Sequence, residues 1–459
     1  MPADDPSVSI IVLNWDGKEL LKANMPSVAK AAAYYPNTRE IIVVDNGSTD
    51  DSVDFLRSKY PQVKILELGK NMRFTGGNNA GVEYASGDIV ILLNNDMWVG
   101  EKFIPPLING FKSRDNVFAV SSQVYFLDKN KRREESGLTK AWFKKGWLLT
   151  GHVVDQEKID KVNDYEPAFW AGGGSTAFDR KKFLEIKLDT LYDPFYLEDI
   201  DISYQAWKRG YANLFAKNSK VYHMHRATNR VKYGDDYIDT IRERNTYLFI
   251  WKNITDLPMI IGHIFRLPFI VSEAVRERGR GEFAVFMAAL KELPQCIARR
   301  RANRRFYRLR DREIFAMFSQ STKPQPISSI DFSFGDFDEN IKGNWYSREL
   351  NYRWIGKSAT CLLYSSNKRS KLIISGCCGI PQQLMQKKQY IISVYFNNKM
   401  CARLPIEKGE LNIEQDVGDT LKQLNEIRIE MNDTYNNNQL GIGEDIRDLG
   451  VIINKVEII

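Results

Sequence analysis

Three short apolar segments, each followed at once by a polar cluster, constrain the fold of this chain more than any other feature. Near-continuous apolar strands that alternate with helical segments are typical of a parallel sheet buried on both faces. Ligands of open α/β sheets bind outside the carboxyl ends of the strands, so the three clusters predict one ligand-binding edge. The strands are residues 7–13, 40–44 and 88–93, and their polar clusters begin at Asn14, Asp45 and Asn94.

The length of 459 residues exceeds what one ordinary core supports, so we expect several domains. Residues 1–240 predict an α/β domain with a mostly parallel, Rossmann-like sheet. Residues 241–322 predict a basic, amphipathic α-helical segment, which ends at the Pro-containing linker around Pro324. Residues 323–459 have short alternating runs separated by Asn and Gly turns, which predicts an antiparallel β-sandwich as an accessory domain.

The net charge of +7 is concentrated in residues 241–320, which carry sixteen Lys and Arg against eight Asp and Glu. Such a segment is either a solvated helix face packed on a neighbouring domain or a surface that contacts anionic lipid. Arg also favours nucleic acid, but no recognition motif accompanies it, so we expect no nucleic-acid partner.

Cysteine usage and the N-terminus favour a cytoplasmic protein. The five cysteines are an odd number and lack the spacing of a metal site, which favours a reduced protein. The N-terminus has two acidic residues and no basic region before an apolar stretch, which is not the pattern of a secretory signal. The most apolar segment, residues 257–275, is interrupted by Pro258, Arg266 and Glu273, so no segment is expected to span a membrane. Any membrane contact would then be peripheral, at the inner face of the cytoplasmic membrane.

Carboxylates and histidines supply the candidate chemistry. Asp96 follows a buried strand, where an oxygen ligand suits Mg²⁺ or Mn²⁺, although Asn and Asp also favour simple turns. Asp199 is either a helix-start residue or a general base. His223 and His225 alternate on one predicted strand, where one of them would reach a metal or a phosphate unless it is a core residue.

The stretch 71–81 is rich in Gly and Asn, so we expect an open loop whose backbone a base or a ribose would approach closely. Its spacing is not that of the dinucleotide fingerprint.

In this order and spacing, the segments resemble the family 2 glycosyltransferases of the GT-A fold, especially a bacterial rhamnosyltransferase-like branch. The resemblance covers about residues 7–250. It rests on Asn14-Trp15, the run from Val44 to Asp50, the stretch 71–81, Asn94-Asn95-Asp96, Glu198-Asp199, and His223 with Thr228. The C-terminal part resembles β-sandwich modules that are fused to bacterial glycosyltransferases.

The resemblance implies a role for each matching position. Asp45 would read a pyrimidine ring, Asp96 and His223 would bind Mg²⁺ or Mn²⁺, and Asp199 would be the catalytic base beside Glu198. Asn94 replaces the first Asp of the family's DXD motif, and Arg73 stands where this branch often has Gly. The remaining contacts to the nucleotide-sugar would come from Asn14, Gly47, Asn71, Gly77, Asn78, Asn94 and Asn95, and the loop facing acceptor and donor from Trp170, Gly172 and Gly173.

The implied reaction is an inverting transfer of a sugar from a dTDP- or UDP-sugar to a hydroxyl of a glycan or lipid-linked glycan, in the assembly of a bacterial surface polysaccharide such as O-antigen. Two alternatives remain open: a nucleotidyltransferase, and a non-catalytic glycan-binding scaffold with a degenerate transferase fold. In the C-terminal part, Trp345, Tyr346 and Trp354 would form either a sugar-stacking platform or part of the core.

Overall fold

The computed structural model describes residues 5–126, 135–154, 156–224, 235–278, 281–318, 327–332, 337, 340–349, 352–365, 371–436 and 447–459. These residues form two compact units, one within 5–272 and 281–318 and the other within 273–278 and 327–459. Of the residues singled out in the sequence, His225 and Thr228 lie outside the described ranges.

The first unit is built on a mixed sheet. Its strands are β1 (Val8–Asn14), β2 (Thr38–Asp45), β3 (Lys64–Glu67), β4 (Ile89–Asn94), β5 (Met97–Val99), β6 (Val117–Phe126), β9 (Glu166–Pro167), β10 (Ser175–Asp179) and β11 (Ala212–His223), and β7 (Thr139–Lys144) and β8 (Trp147–His152) form a separate hairpin. The order is β3-β2-β1-β4-β10-β6-β11-β5, with β9 paired to β11. β1 pairs in parallel with both β2 and β4, whereas β10 is antiparallel to β4 and β6.

Helices surround this sheet. They are α1 (Lys18–Tyr34), α2 (Ser52–Lys59), α3 (Arg73–Tyr84), α4 (Ile104–Ser113), α5 (Gln156–Lys161), α6 (Arg180–Ile186), α7 (Glu198–Lys208), α8 (Asp235–Asn253), α9 (Leu257–Arg278), α10 (Gly281–Lys291), α11 (Leu293–Arg304) and α12 (Asp311–Phe318). A 3₁₀ turn, Thr190–Tyr192, precedes α7.

The central strands are apolar on both faces because helices cover both faces. Ile10 and Val12 of β1 belong to one core together with Leu21 of α1, and Ile11 belongs to a second core together with Val82 of α3. Successive side chains of a strand point to opposite faces, so a strand between two cores must be apolar throughout. The predicted α/β architecture with its parallel central strands is confirmed.

The stretch 71–81, predicted to be an open loop, is helical from Arg73 onward. A Cβ atom on Gly77 would lie 2.5 Å from Cδ1 of Leu13 in β1. The glycine therefore allows α3 to pack closely on the sheet, a tertiary requirement that local composition does not reveal.

The Arg-rich segment is helical, as predicted, and much of its charge is engaged within the first unit. Arg299 donates to Asp189, and Arg300 donates to the backbone carbonyls of Ile250 and Lys252. Among the described residues, one helical stretch, Leu257–Arg276, is long and apolar enough to cross a membrane by length and composition. The sequence prediction that no segment could span a membrane is therefore not upheld for α9, which meets the test of length and composition.

A buried carboxylate, Asp311, joins α7 to α12 and to the turn after α8. It accepts hydrogen bonds from Lys208 Nζ at 2.8 Å and from the Tyr204 hydroxyl at 2.5 Å. The backbone N–H groups of Thr255 and Asp256 donate to its other oxygen. Burial alone would raise the pKa of Asp311, but Lys208 and these donors hold it below its usual value.

The second unit is one antiparallel sheet in the order β17-β16-β19-β14-β20-β15-β18, and its two end strands approach each other. Its elements are β12 (Ser329–Asp331), β13 (Ile341–Glu349), β14 (Tyr352–Tyr364), β15 (Lys371–Cys377), α13 (Gln382–Lys387), β16 (Ile391–Phe396), β17 (Lys399–Pro405), β18 (Glu410–Asp416), a 3₁₀ turn (Gly418–Thr420), β19 (Leu424–Met431) and β20 (Ile452–Ile458). The predicted antiparallel strands are present, but among the described residues they form a single curved sheet around one core, and the prediction of a β-sandwich is not specifically confirmed.

The three aromatic side chains singled out in this part of the sequence, Trp345, Tyr346 and Trp354, contact that core. Trp345 packs on Phe332 and donates to the carbonyl of Thr360. Trp354 lies against Gly379 and Tyr435, and Tyr346 donates to the carbonyl of Asp448. These contacts favour the core alternative over a sugar-stacking platform.

We predict that Asp311→Ala lowers the free energy of unfolding of the first unit by about 3–5 kcal/mol, because Lys208 would remain buried without its carboxylate partner. Glu67→Ala is the control, since it removes an exposed ion pair with Arg57 and should change stability by less than about 1 kcal/mol. Urea unfolding followed by tryptophan fluorescence measures both. Equal losses for the two variants would contradict the structural role of Asp311.

Candidate active site

The carboxyl ends of β1, β2 and β4 bring the three polar clusters to one edge of the sheet. In the register of the sheet, Asn14 is level with Asp45, and Leu13 is level with Asn94. Asn14 and Asp45 are buried and Asn94 is half-buried. The structure therefore places these three side chains together, as the strand pattern predicts.

Hydrogen bonds tie the first cluster to the other two. Asn95 Nδ2 donates to Asn14 Oδ1 at 2.8 Å, and Asn14 Nδ2 donates to Ser48 Oγ at 3.3 Å. The Ser48 backbone N–H donates to Asp45 Oδ2 at 3.2 Å. The second carboxylate oxygen, Asp45 Oδ1, is buried and has no hydrogen-bond partner among the described residues. A buried acceptor without a partner is costly, so this oxygen is suited to an incoming donor.

Asn46 connects this edge to the start of α3. Its Nδ2 donates to Asn71 Oδ1 at 3.2 Å, and its Oδ1 accepts from the Met72 backbone N–H at 2.8 Å. The next residue, Gly47, has a φ angle of +76°, and a Cβ atom there would lie 2.7 Å from the backbone of Lys70. This turn therefore needs glycine. Sequence reasoning missed Asn46 as the link, although it lies between two predicted positions.

Gly77 and Asn78 lie farther into α3 than a loop assignment implies. Gly77 faces Leu13, and the buried Asn78 side chain donates to the carbonyl of Phe74 in its own helix. Both residues therefore support the packing of α3 on the sheet. Their contact with a base or ribose stays a prediction.

Asp96 and His223 meet at the end of the sheet where β5 pairs with β11. His223 Nε2 lies 3.0 Å from Asp96 Oδ2, and His223 Nδ1 lies 3.1 Å from Glu135 Oε2. Burial opposes the charged imidazolium, but these two carboxylates outweigh burial and raise the pKa of His223 to about 10. Glu135 was missed in the sequence because nothing local connects it to a histidine 88 positions away.

The second carboxylate oxygen of Asp96, Oδ1, is buried and has no hydrogen-bond partner among the described residues. An oxygen and an imidazole nitrogen side by side form a donor set that Mg²⁺ or Mn²⁺ accepts. Glu135 lies on the opposite ring nitrogen, so it orients the imidazole and cannot share an ion with Asp96. Accordingly, the described residues contain no group of three His, Cys, Asp or Glu side chains arranged to hold a metal.

Glu198 and Asp199 begin α7, where the unpaired backbone N–H groups favour negative charge. Asp199 Oδ1 accepts from the Ile200 backbone N–H at 2.8 Å. Burial raises the pKa of Asp199 to about 6, against the lowering effect of the N–H groups of Ile200 and Gly173. Burial and the neighbouring Asp199 raise the pKa of Glu198 well above its usual value, which favours its neutral form.

Three consecutive glycines connect Asp199 to the edge formed by the strand ends. A Cβ atom on Gly172 would lie 4.0 Å from Asp199 Oδ2, and one on Gly173 would lie 2.8 Å from the Phe74 ring at the start of α3. Gly174 accepts from the Asn94 backbone N–H at 3.0 Å. This glycine was not singled out in the sequence, although it continues the predicted loop.

Trp170, the other residue predicted for this loop, packs in the core. Its ring is buried and stands edge-on to His152 at 5.0 Å, and its backbone exchanges hydrogen bonds with the Thr139 hydroxyl. Trp170 therefore anchors the start of the loop, whereas Gly172 and Gly174 lie beside Asp199 and Asn94.

Part of the first unit matches a known family model. Residues 7–183 match the family model described as glycosyl transferase family 2. Dodecaprenyl-phosphate galacturonate synthase of Rhizobium johnstonii is 26% identical over 118 residues, which are 25% of this chain and 35% of that protein. Dolichol-phosphate mannosyltransferase of Pyrococcus furiosus is 26% identical over 167 residues, 36% of this chain and 45% of that protein. The chain thus spans less than half of each of these relatives.

Among solved structures, a crystal structure of GalNAc-T7 with UDP, GalNAc and Mn²⁺ aligns with 80% of this chain and 74% of its own, at 15% identity and a TM-score of 0.46. The family match supports a glycosyl transferase family 2 domain in the N-terminal part of the chain. That domain contains every predicted nucleotide-sugar residue from Asn14 to Asn95.

Proposed function

We propose that this chain is an inverting glycosyltransferase that moves a sugar from a dTDP- or UDP-sugar to a hydroxyl of a glycan or lipid-linked glycan. We further propose that it belongs to the rhamnosyltransferase-like branch that its motifs resemble. The observation that carries the proposal is the glycine loop 172–174, which reaches Asp199 at one end and Asn94 at the other. A carboxylate able to act as a base is thereby held next to the strand ends where a nucleotide would bind.

A pyrimidine donor suits the buried Asp45 Oδ1, which lacks a partner among the described residues. Uracil and thymine both carry an imide N–H at ring position N3, and Asp45 Oδ1 would accept a hydrogen bond from it. Cytosine has no hydrogen on N3. Recognition by Asp45 would therefore favour uridine and thymidine nucleotides without separating them.

A divalent cation would be held by Asp96 Oδ1 and by His223 Nε2, once the imidazole has released its Nε2 proton to solvent, with Glu135 fixing the orientation of the ring. When bound, Mg²⁺ or Mn²⁺ would neutralise the diphosphate as negative charge develops on it. Two protein ligands leave coordination positions for phosphate oxygens and water. The half-buried Asn94 and Asn95 at the same edge would contact the nucleotide.

Asp199 would remove the proton from the acceptor hydroxyl. That oxygen would form its bond to the anomeric carbon as the bond from that carbon to the diphosphate oxygen breaks, which inverts the configuration. A base with a pKa of about 6 is ionised at neutral pH and is a stronger base than an ordinary aspartate. The neutral form of Glu198 would limit repulsion of the incoming acceptor oxygen.

A lipid-linked acceptor fits an apolar face on α9. Residues at helical spacing are exposed there, with Leu257 at 65%, Phe265 at 75% and Phe269 at 64%. Arg310 and Arg312 line a cleft of about 240 Å³ together with Leu257. Apolar side chains beside cationic ones suit the surface of an anionic bilayer, so we propose peripheral contact of the enzyme with the cytoplasmic leaflet, during assembly of a surface polysaccharide.

We predict that Asp199→Asn abolishes sugar transfer and leaves donor binding within about threefold, because the amide cannot accept the proton. In the wild-type protein the turnover number should fall as the pH drops below about 6, where Asp199 becomes protonated. Transfer of labelled sugar from a panel of dTDP- and UDP-sugars measures both effects. Asp54→Asn, at an exposed carboxylate of α2, is the control for the loss of one charge.

Near-normal turnover by folded Asp199→Asn would contradict the role of the base. If the wild-type protein releases no sugar from any donor and no nucleotide-sugar shifts its melting temperature, the scaffold alternative is favoured instead.

Asp96→Ala is expected to weaken donor binding at least about tenfold in the presence of Mn²⁺ and to change it little in EDTA, because only the cation-dependent part of the affinity is lost. Isothermal titration calorimetry with UDP or dTDP under both conditions tests this. A variant that retains the full gain in affinity from Mn²⁺ would refute the assignment of Asp96.

We also predict that the protein floats with vesicles containing anionic phospholipid and that Phe265→Ser with Phe269→Ser abolishes flotation. Tyr34→Ser removes another exposed aromatic side chain, 43% exposed on α1, and should have no effect. Absence of co-migration for the wild-type protein would rule out the lipid contact.

A further inference from the structure

The turn that leads into α7 has an unusual backbone. Tyr196 and Leu197 have φ angles of +70° and +72°, so two consecutive non-glycine residues lie in the left-handed region. Such residues carry a conformational cost and persist only where surrounding contacts hold them. The next two residues are Glu198 and Asp199, so the direction of the candidate base depends on this turn.

One side chain of α8 holds the turn. Asn245 is fully buried, and its Nδ2 donates to the backbone carbonyls of Tyr192 at 2.8 Å, Phe195 at 3.1 Å and Tyr196 at 2.9 Å. The three acceptors belong to a segment that reverses direction around a single amide. An amide at this point replaces the regular backbone hydrogen bonds that the turn cannot make itself.

Arg244, the residue before Asn245, adds hydrogen bonds to the same turn from the more exposed side. We call these two side chains the clamp. Its Nη1 donates to the carbonyl of Asp193 at 3.0 Å and to Oδ1 of Asn245 at 3.1 Å. The second bond fixes the orientation of the amide, because it identifies the accepting oxygen and leaves Nδ2 facing the turn. Consecutive residues of one helix thus bond four carbonyls of the segment 192–196.

α8 is itself fixed relative to α7, so the clamp has a rigid support. One turn beyond α7's start, Asp201 is buried and accepts from Lys252 Nζ at 2.6 Å and from Asn253 Nδ2 at 2.8 Å, both on α8. The Tyr192 hydroxyl also donates to Asp201 at 2.8 Å. Buried hydrogen bonds therefore join the helix that carries Asn245 to the helix that carries Asp199.

We infer that Asn245, oriented by Arg244, is a positioning residue that sets the location of the Asp199 carboxylate relative to the glycine loop 172–174. It acts through the backbone of residues 192–197 and touches neither Asp199 nor the candidate nucleotide contacts. The inference rests on the proposed function for its catalytic consequence, while the clamp itself is a property of the fold.

The consequence for transfer follows from geometry. Asp199 must stay next to Gly172 to reach an acceptor hydroxyl, and a shift of about 1 Å in a reacting group can reduce a rate about 100-fold. Loss of the clamp should therefore lower the turnover number and leave donor affinity nearly unchanged. A residue that only stabilises the fold would lower the melting temperature without that separation.

The test uses the full chain with Asn245→Ala, Arg244→Ala and Asn425→Ala. Asn425 is a matched control, because it is an equally buried asparagine whose amide donates to the backbone carbonyls of Leu363 and Lys422 in the second unit. Hydrogen–deuterium exchange over residues 192–201 reports on the turn without requiring activity. Turnover, its pH profile and calorimetric affinity for UDP and dTDP report on the base.

For Asn245→Ala we expect faster exchange over 192–201, at least about tenfold lower turnover, a displaced acid limb of the pH profile and donor affinity within about threefold. Arg244→Ala, which keeps the buried amide, should show the same pattern more weakly and carries the test if Asn245→Ala does not fold. Asn425→Ala should change neither exchange over 192–201 nor turnover.

Unchanged exchange over 192–201 in the Asn245 and Arg244 variants would overturn the clamp. Faster exchange with unchanged turnover would overturn its role in positioning Asp199. A wild-type protein that transfers no sugar would instead defeat the proposed function, and the exchange result would still decide whether the clamp exists.

Discussion

The parallel pairing of β1 with β2 on one side and with β4 on the other is the constraint on which the candidate site depends. Because these strands run in the same direction and in close register, their carboxyl ends bring Asn14, Asp45 and Asn94 to one edge. Two packed cores, one on each face, fix that register, since a slip by one residue would exchange the side chains between the cores. The chemistry of the edge is therefore determined by burial elsewhere in the sheet.

Polar interactions then place the second half of the site against this edge. Asp311 joins α7 to α12, Asp201 joins α7 to α8, and Asn245 holds the turn that leads into α7. Buried ionic contacts of this kind contribute little net stability when compared with apolar packing, but each leaves a costly unpaired charge if its partner moves. They fit a role in specifying one position of α7, and with it one position of Asp199.

The sequence predicted the fold and the strand-end clusters because apolar runs and the polar residues after them are local signals. It misassigned 71–81 as an open segment, since Gly and Asn are typical of loops and the reason for Gly77 is a contact with Leu13 some 60 positions away. Glu135, Gly174 and Asn245 went unnoticed for the same reason: each acts on a residue that only the folded chain brings near. Trp170 was expected at the site, but its burial beside His152 is decided by packing that no local pattern encodes.

In the proposed function, the edge formed by Asn14, Asp45 and Asn94 binds a pyrimidine nucleotide through the buried carboxylate of Asp45. Calorimetric titration of the wild-type protein and of Asp45→Ala with UDP and with CDP, each with Mn²⁺, tests it most directly. We expect UDP to bind the wild-type protein, CDP to bind at least about tenfold more weakly, and Asp45→Ala to lose this preference. Equal affinity of the wild-type protein for the two nucleotides, or an unchanged preference in Asp45→Ala, would show that Asp45 does not recognise the base.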